Sequence, residues 1–78
     1  MKKIIVTGGS GFIGSNLVNY LIQKGYYIIN IDKLTYSSNK YHSKIKNKKN
    51  YKFFKLDIAN QKKLIKIIKK FKPKAIFN

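Results

Sequence analysis

Lys2 and Lys3 lead into an unbroken apolar run, and residues 2–7 predict a strand buried on both faces. From Phe12 the spacing changes. Phe12, Ile13, Leu17, Val18, Leu21 and Ile22 share one broad face of a helix over 12–24, and Gly25 supplies its stop. Residues 26–32 return to strand character and end on Asp32. The connection over 33–50 is polar and lysine-rich, anchored by Leu34, Tyr36, Tyr41 and Ile45, with a short helix near 39–46. Residues 51–57 predict a third strand, closed by Asp57. Asn60 can cap a helix whose apolar face is Leu64, Ile65, Ile67, Ile68 and Phe71, with lysines on the other face. Pro73 ends that helix, and 74–78 begin a fourth strand.

Strands alternating with crossovers give an α/β fold with a parallel sheet. The order matches the first half of a doubly wound Rossmann sheet, with expected strand order 3-2-1-4. A complete domain of that kind would continue past the fourth strand. The expectation is therefore that 1–78 form a partial dinucleotide-binding domain, truncated in strand 4.

Size and composition narrow the classes. A domain this small buries only about 60% of its unfolded surface, so its stability is expected to be marginal. Apolar residues make up 44%, enough for a core. With no cysteine, one histidine and two acids, disulfides are excluded and a metal cluster is not expected. No stretch reaches the roughly 20 apolar residues of a membrane span, and the first apolar run is too short for a signal peptide. A cytoplasmic protein with no membrane partner is expected. The net charge of +16 invites a nucleic-acid reading. All 18 basic residues are lysine, however, and arginine is the preferred reader of guanine edges and phosphate forks. The lysines are scattered along the chain, and the abundance of Lys, Ile, Asn, Tyr and Phe matches A/T-rich codons. No specific nucleic acid is expected, although weak, salt-sensitive attachment to a polyanion is.

The candidate chemistry lies in Gly8-Gly9-Ser10-Gly11-Phe12-Ile13-Gly14, which follows a strand and opens a helix. Gly8 permits a tight turn, Gly11 lets a pyrophosphate approach the backbone, and Gly14 brings the helix close to the sheet. The amides of Phe12 and Ile13 would point at phosphates from the helix N-terminus. Asp32 stands 18 positions after Gly14, where a carboxylate accepts from the adenosine ribose hydroxyls and repels a 2′-phosphate. That favours NAD over NADP, while the neighbouring Lys33 pulls the other way. Asp57 falls at the same sheet edge and would accept from the adenine amino group. The alternatives are that Asp32 is a strand-end turn residue and Asp57 a cap or turn residue.

Thr7 to Gly14 resembles the opening of the extended short-chain dehydrogenases/reductases, the nucleotide-sugar epimerase and dehydratase group. Asp57-Ile58 matches that group's adenine-contact position. Asp32-Lys33-Leu34-Thr35-Tyr36 resembles the dTDP-glucose 4,6-dehydratase family more narrowly, with Ser37-Ser38-Asn39 where that family usually continues Ala-Gly-Asn. The resemblance implies that Gly8, Gly11, Phe12, Ile13, Gly14, Asp32, Lys33, Leu34, Thr35, Asp57 and Ile58 line an NAD site. It implies hydride removal from sugar C4, loss of water across C5 and C6, and hydride return to C6, on a nucleotide-sugar substrate in a full-length enzyme that is usually a homodimer. The group's catalytic residues are not expected within 1–78. Two other readings stay open: another epimerase or dehydratase of the group, and a small basic polyanion-binding module.

Tyr20 and Lys24 have the spacing of the group's Tyr-x-x-x-Lys pair but fall in the first helix, and read as surface residues. His42 reads as a solvated loop residue rather than a base. The basic helix over 60–72 fits an outer helix of the fold better than a membrane-surface helix.

Overall fold

The computed structural model describes residues 1–34 and 39–77, and the backbone alone of Asn39 and Lys40. Chain order is β1 (Lys3–Thr7), α1 (Phe12–Gln23), β2 (Tyr27–Asp32), α2 (Asn39–Ile45), β3 (Tyr51–Lys55), α3 (Gln61–Phe71) and β4 (Ala75–Phe77). The strands form one parallel sheet in the order β3-β2-β1-β4. The expected topology is thus the observed one. Ile5 stands at the centre, paired with Ile29 on one side and Ile76 on the other.

Side-chain alternation splits the core between the two faces of the sheet. Ile4, Val6, Ile28 and Tyr51 pack against Val18 and Leu21 of α1 and Ile45 of α2. Ile5, Ile29 and Ile31 pack against Ile67 of α3. Each fully buried isoleucine contributes about 1.5–3 kcal/mol. The short helix expected near 39–46 exists, and it covers the first face through Ile45.

Local signals set the ends of the helices. Gly25 leaves α1 with φ of 91°, a conformation L side chains rarely adopt. The Asn60 side chain accepts from the Lys63 N–H at 3.3 Å and starts α3. Lys72, at φ 48°, donates its N–H to Ile68 O at 2.9 Å, so the helix closes one residue before Pro73.

Three expectations need correction. Phe12 and Ile13 lie on the stripe the periodicity marked, yet they are 62% and 81% exposed: Val18 and Leu21 of that stripe are buried in the core and Leu17 and Ile22 pack against it. Ile65 is also exposed: Leu64, Ile67, Ile68 and Phe71 complete the contact of α3 with the sheet. β3 ends at Lys55, so Asp57 stands two residues past the strand rather than closing it.

Candidate functional site

The turn after β1 is held from beneath by β2. Gly8 takes φ of 74° and donates its N–H to Ile31 O at 2.9 Å. The Gly9 N–H donates to Asn30 Oδ1 at 2.8 Å, and the Ser10 N–H to Asp32 Oδ2 at 2.9 Å. Three successive amides of the loop are therefore tied to the end of one strand. Gly11 caps α1 with extended backbone, and no side chain caps the helix. The first helical bond runs from Ser15 N–H to Gly11 O at 2.8 Å. The amides at the start of α1 thus form an uncapped, positively polarised end suited to an anion.

The glycines do different jobs. A β-carbon at position 14 would strike Gly8 O and lie 2.8 Å from Gly9 Cα, so Gly14 brings α1 against the loop itself. A β-carbon at position 11 would meet nothing nearer than Gly8 O, at 3.8 Å. The chain's own packing leaves that position open, as a backbone that a bound group must approach requires.

Asp32 reaches two segments at once. Oδ2 accepts from Ser10, and Oδ1 accepts from the Leu34 N–H at 2.8 Å, with Leu34 in the left-handed region at φ 60°. The carboxylate is therefore oriented by the fold before any ligand arrives. Asp57 Oδ1 accepts from the Ala59 N–H at 2.9 Å, and Asp57 O accepts from the Asn60 N–H at 2.9 Å. This is the turn geometry offered as a plainer alternative for Asp57, while the cap of α3 is Asn60.

Both acids line one cleft. It holds about 300 Å³ and is bounded by Thr7, Gly8, Ile31, Asp32, Lys33, Leu56, Asp57 and Ile58. These residues stand at and just beyond the C-terminal ends of β1, β2 and β3, where parallel sheets bind ligands. A second cleft of about 230 Å³ shares Thr7 and Gly8 and adds Val6, Ile13, Gly14, Leu17 and Phe77. The glycine turn is thus the wall between two hollows.

Of the residues expected at the site, Gly8, Asp32, Lys33, Asp57 and Ile58 converge on the first cleft, while Ile13 and Gly14 line the second. Gly11 and Phe12 stand at the start of α1 and line neither cleft, and Leu34 contributes its N–H to Asp32. Thr35 lies outside the described residues, as do Tyr36, Ser37 and Ser38. The Tyr20–Lys24 pair is on the surface of α1, with the Lys24 ammonium 5.4 Å from the Tyr20 ring centre.

A buried polar cluster escaped the sequence reading. Asn30, fully buried in β2, donates from Nδ2 to Ser10 Oγ at 3.0 Å and to the Tyr51 hydroxyl at 2.9 Å, while its Oδ1 holds Gly9. Burial raises the Tyr51 hydroxyl above its ordinary range, and the bonds from Asn30 and Ser10 partly offset that. A signal for it existed: Asn30 occupies an inward position in an otherwise apolar strand, and a buried amide needs partners. His42 is not solvated as expected. It is half-buried, with its ring centre 4.2 Å from that of Phe53. Among the described residues no group of acids or histidines has the arrangement of a metal site, and no helix is long and apolar enough to cross a membrane.

The chain as a whole is similar to known proteins. dTDP-glucose 4,6-dehydratase of Haemophilus influenzae is 42% identical over 80 residues, which takes in 100% of this chain and 24% of the relative. The crystal structure of dTDP-glucose 4,6-dehydratase from Bacillus anthracis in complex with NAD superposes with a TM-score of 0.86 at 44% identity, over 97% of this chain and 26% of that one. UDP-glucose 4-epimerase of Thermotoga maritima gives a TM-score of 0.80 at 31% identity, over 95% and 22%. The chain thus spans about a quarter of the length of the first of these relatives. Residues 5–78 match the family model described as GDP-mannose 4,6 dehydratase. On that match, which takes in nearly the whole chain, the chain belongs to the GDP-mannose 4,6-dehydratase family.

Proposed function

We propose that residues 1–78 are the NAD-binding part of a nucleotide-sugar 4,6-dehydratase of the dTDP-glucose type. The observation that carries this reading is the first cleft, where the glycine turn and both acids of the chain meet at the sheet's C-terminal edge. The open position at Gly11 supports it independently. Gly8, Gly11 and the first amides of α1 would hold the diphosphate. Asp32 would accept from the adenosine ribose, with Lys33 and Leu34 beside it. Asp57 and Ile58 would border the adenine. The second cleft, across the turn, would receive the portion beyond the diphosphate. Bound NAD supplies a hydride acceptor that later returns the hydride. The residues described here bind and orient it. The residues that move protons on the sugar would come from the remaining three-quarters of such an enzyme, so the 78-residue chain alone would turn over no dTDP-glucose.

Titration of NAD into the chain, with NADP as comparison, tests the reading. NAD should saturate one site, NADP should bind more weakly, and Asp32→Ala should cost tenfold or more in affinity. Absence of any NAD-dependent change at low and moderate salt would overturn it.

A further inference from the structure

The opposite end of the sheet carries a second ligand-sized feature. Parallel pairing of β1 with β4 brings two lysine runs, 2–3 and 69–74, side by side, and the Lys74 N–H donates to Lys3 O at 2.8 Å. There Lys2, Lys3, Lys70, Lys72 and Lys74 surround a depression of about 440 Å³ beside Phe71. Five of the 18 lysines, drawn from the two ends of the chain, are thus gathered in one place. Both acids of the chain are at the other end, lining the first cleft.

From this geometry we infer a binding site for a short polyphosphate chain, independent of the dinucleotide site. The balance of charge supports it. The C-terminal end of α3 offers only about half a negative charge to these side chains. Against it stand five ammonium groups. Lys2 is held below the ordinary lysine range by direct contact with Lys74 and by repulsion from it. A fold that presses cations together without a counter-charge is ready to take an anion. The ligand chemistry follows from the side chains. Ammonium groups act as point charges with rotatable donors and suit tetrahedral phosphate oxygens, whereas planar base edges call for arginine forks. Phe71 does not offer a free stacking face: it lies edge-on to Phe54 at 5.9 Å, with Lys3 and Lys70 at 6.0 and 5.4 Å from its centre. That disfavours single-stranded nucleic acid, which needs aromatic platforms.

The test uses inorganic tripolyphosphate and the ¹⁵N-labelled full chain. Amide shifts should concentrate at Lys2, Lys3, Phe71, Lys72 and Lys74, and affinity should fall steeply with salt. Lys2→Gln with Lys74→Gln should weaken binding tenfold or more. Lys44→Gln with Lys48→Gln removes the same charge from exposed positions that do not line the depression, and should change it less than threefold. Without anion, the first double variant should melt no lower than the parent, since a repulsion has been removed. ATP distinguishes the source: shifts at the same lysines extend the site to nucleotide triphosphate tails, and shifts confined to 8–14 leave the free polyphosphate as ligand. Equal losses in the two double variants, tripolyphosphate shifts centred on 8–14, or tighter binding of an oligouridylate spread over the lysines of α3 would each overturn the site. A failure of NAD to bind would leave all of these readings unaffected.

Discussion

The side-chain oxygen of Asn30 occupies the space that a β-carbon on residue 9 would need, and Asn30 Cγ would lie only 2.7 Å from that carbon. The same oxygen accepts the Gly9 N–H at 2.8 Å. Contact and hydrogen bond thus demand each other. Gly9→Ala should destabilise the fold by about 1–3 kcal/mol, the usual cost of overpacking. Adding Asn30→Ala should recover part of that loss. Recovery will be incomplete, because Val18 Cγ2 would still stand at 3.0 Å and Ser10 and Tyr51 would lose their donor. Urea denaturation of the single and double variants measures the coupling, and strictly additive losses would contradict the contact.

Gly11 and Gly14 should respond oppositely to the same change. A methyl at position 14 meets the backbone of Gly8 and Gly9, which cannot step aside as a side chain can. Gly14→Ala should therefore lower stability by about 2 kcal/mol or more and distort the loop. Gly11→Ala finds open space and a φ of −74° that alanine accepts, so stability should move by less than about 1 kcal/mol. Its NAD affinity should nevertheless fall tenfold or more. Thermal melts paired with NAD titrations separate the two effects, and unchanged affinity in Gly11→Ala would remove the reason for a glycine there.

His42 should make stability depend on pH. Burial, and then the charge of Lys46, hold its imidazole below the ordinary 6.5, against a weaker pull upward from Asp32. The unfolded chain takes up this proton at about 6.5 while the folded chain takes it only at lower pH. Between those two values the unfolded state binds more protons, so stability rises with pH through the window and is flat above it. Denaturation midpoints should be lower at pH 5 than at pH 7. His42→Leu should flatten that part of the profile, and an unaltered slope in the variant would assign it elsewhere.

What the sequence made legible follows from how local each signal is. The 3.6-residue stripe of α3, the glycine turn and the strand order needed only neighbouring residues and general topology. Asn30 did not stand out, because its partners Ser10 and Tyr51 lie about 20 residues away on either side and meet only after β2 and β3 pair. Phe12 and Ile13 fit the apolar stripe of α1 but remain outside its contact with the sheet, and periodicity alone cannot show where a helix leaves its support. His42 had the same difficulty, since only folding sets α2 against Phe53 of β3. The lysine depression needs β1 beside β4, a pairing between segments some 70 residues apart.

The first cleft draws its walls from Gly8, Asp32 and Asp57, segments far apart along the chain that meet only when β1, β2 and β3 have come together. A guest molecule in it would therefore recognise the finished architecture and ignore the disordered polymer. In so small a domain that selectivity acts on survival as well as chemistry. A guest at 100 times its dissociation constant would add about 2.7 kcal/mol, enough to shift the ratio of assembled to disordered molecules by about a hundredfold. The metabolite supply of the host would then govern how many copies persist long enough to escape degradation.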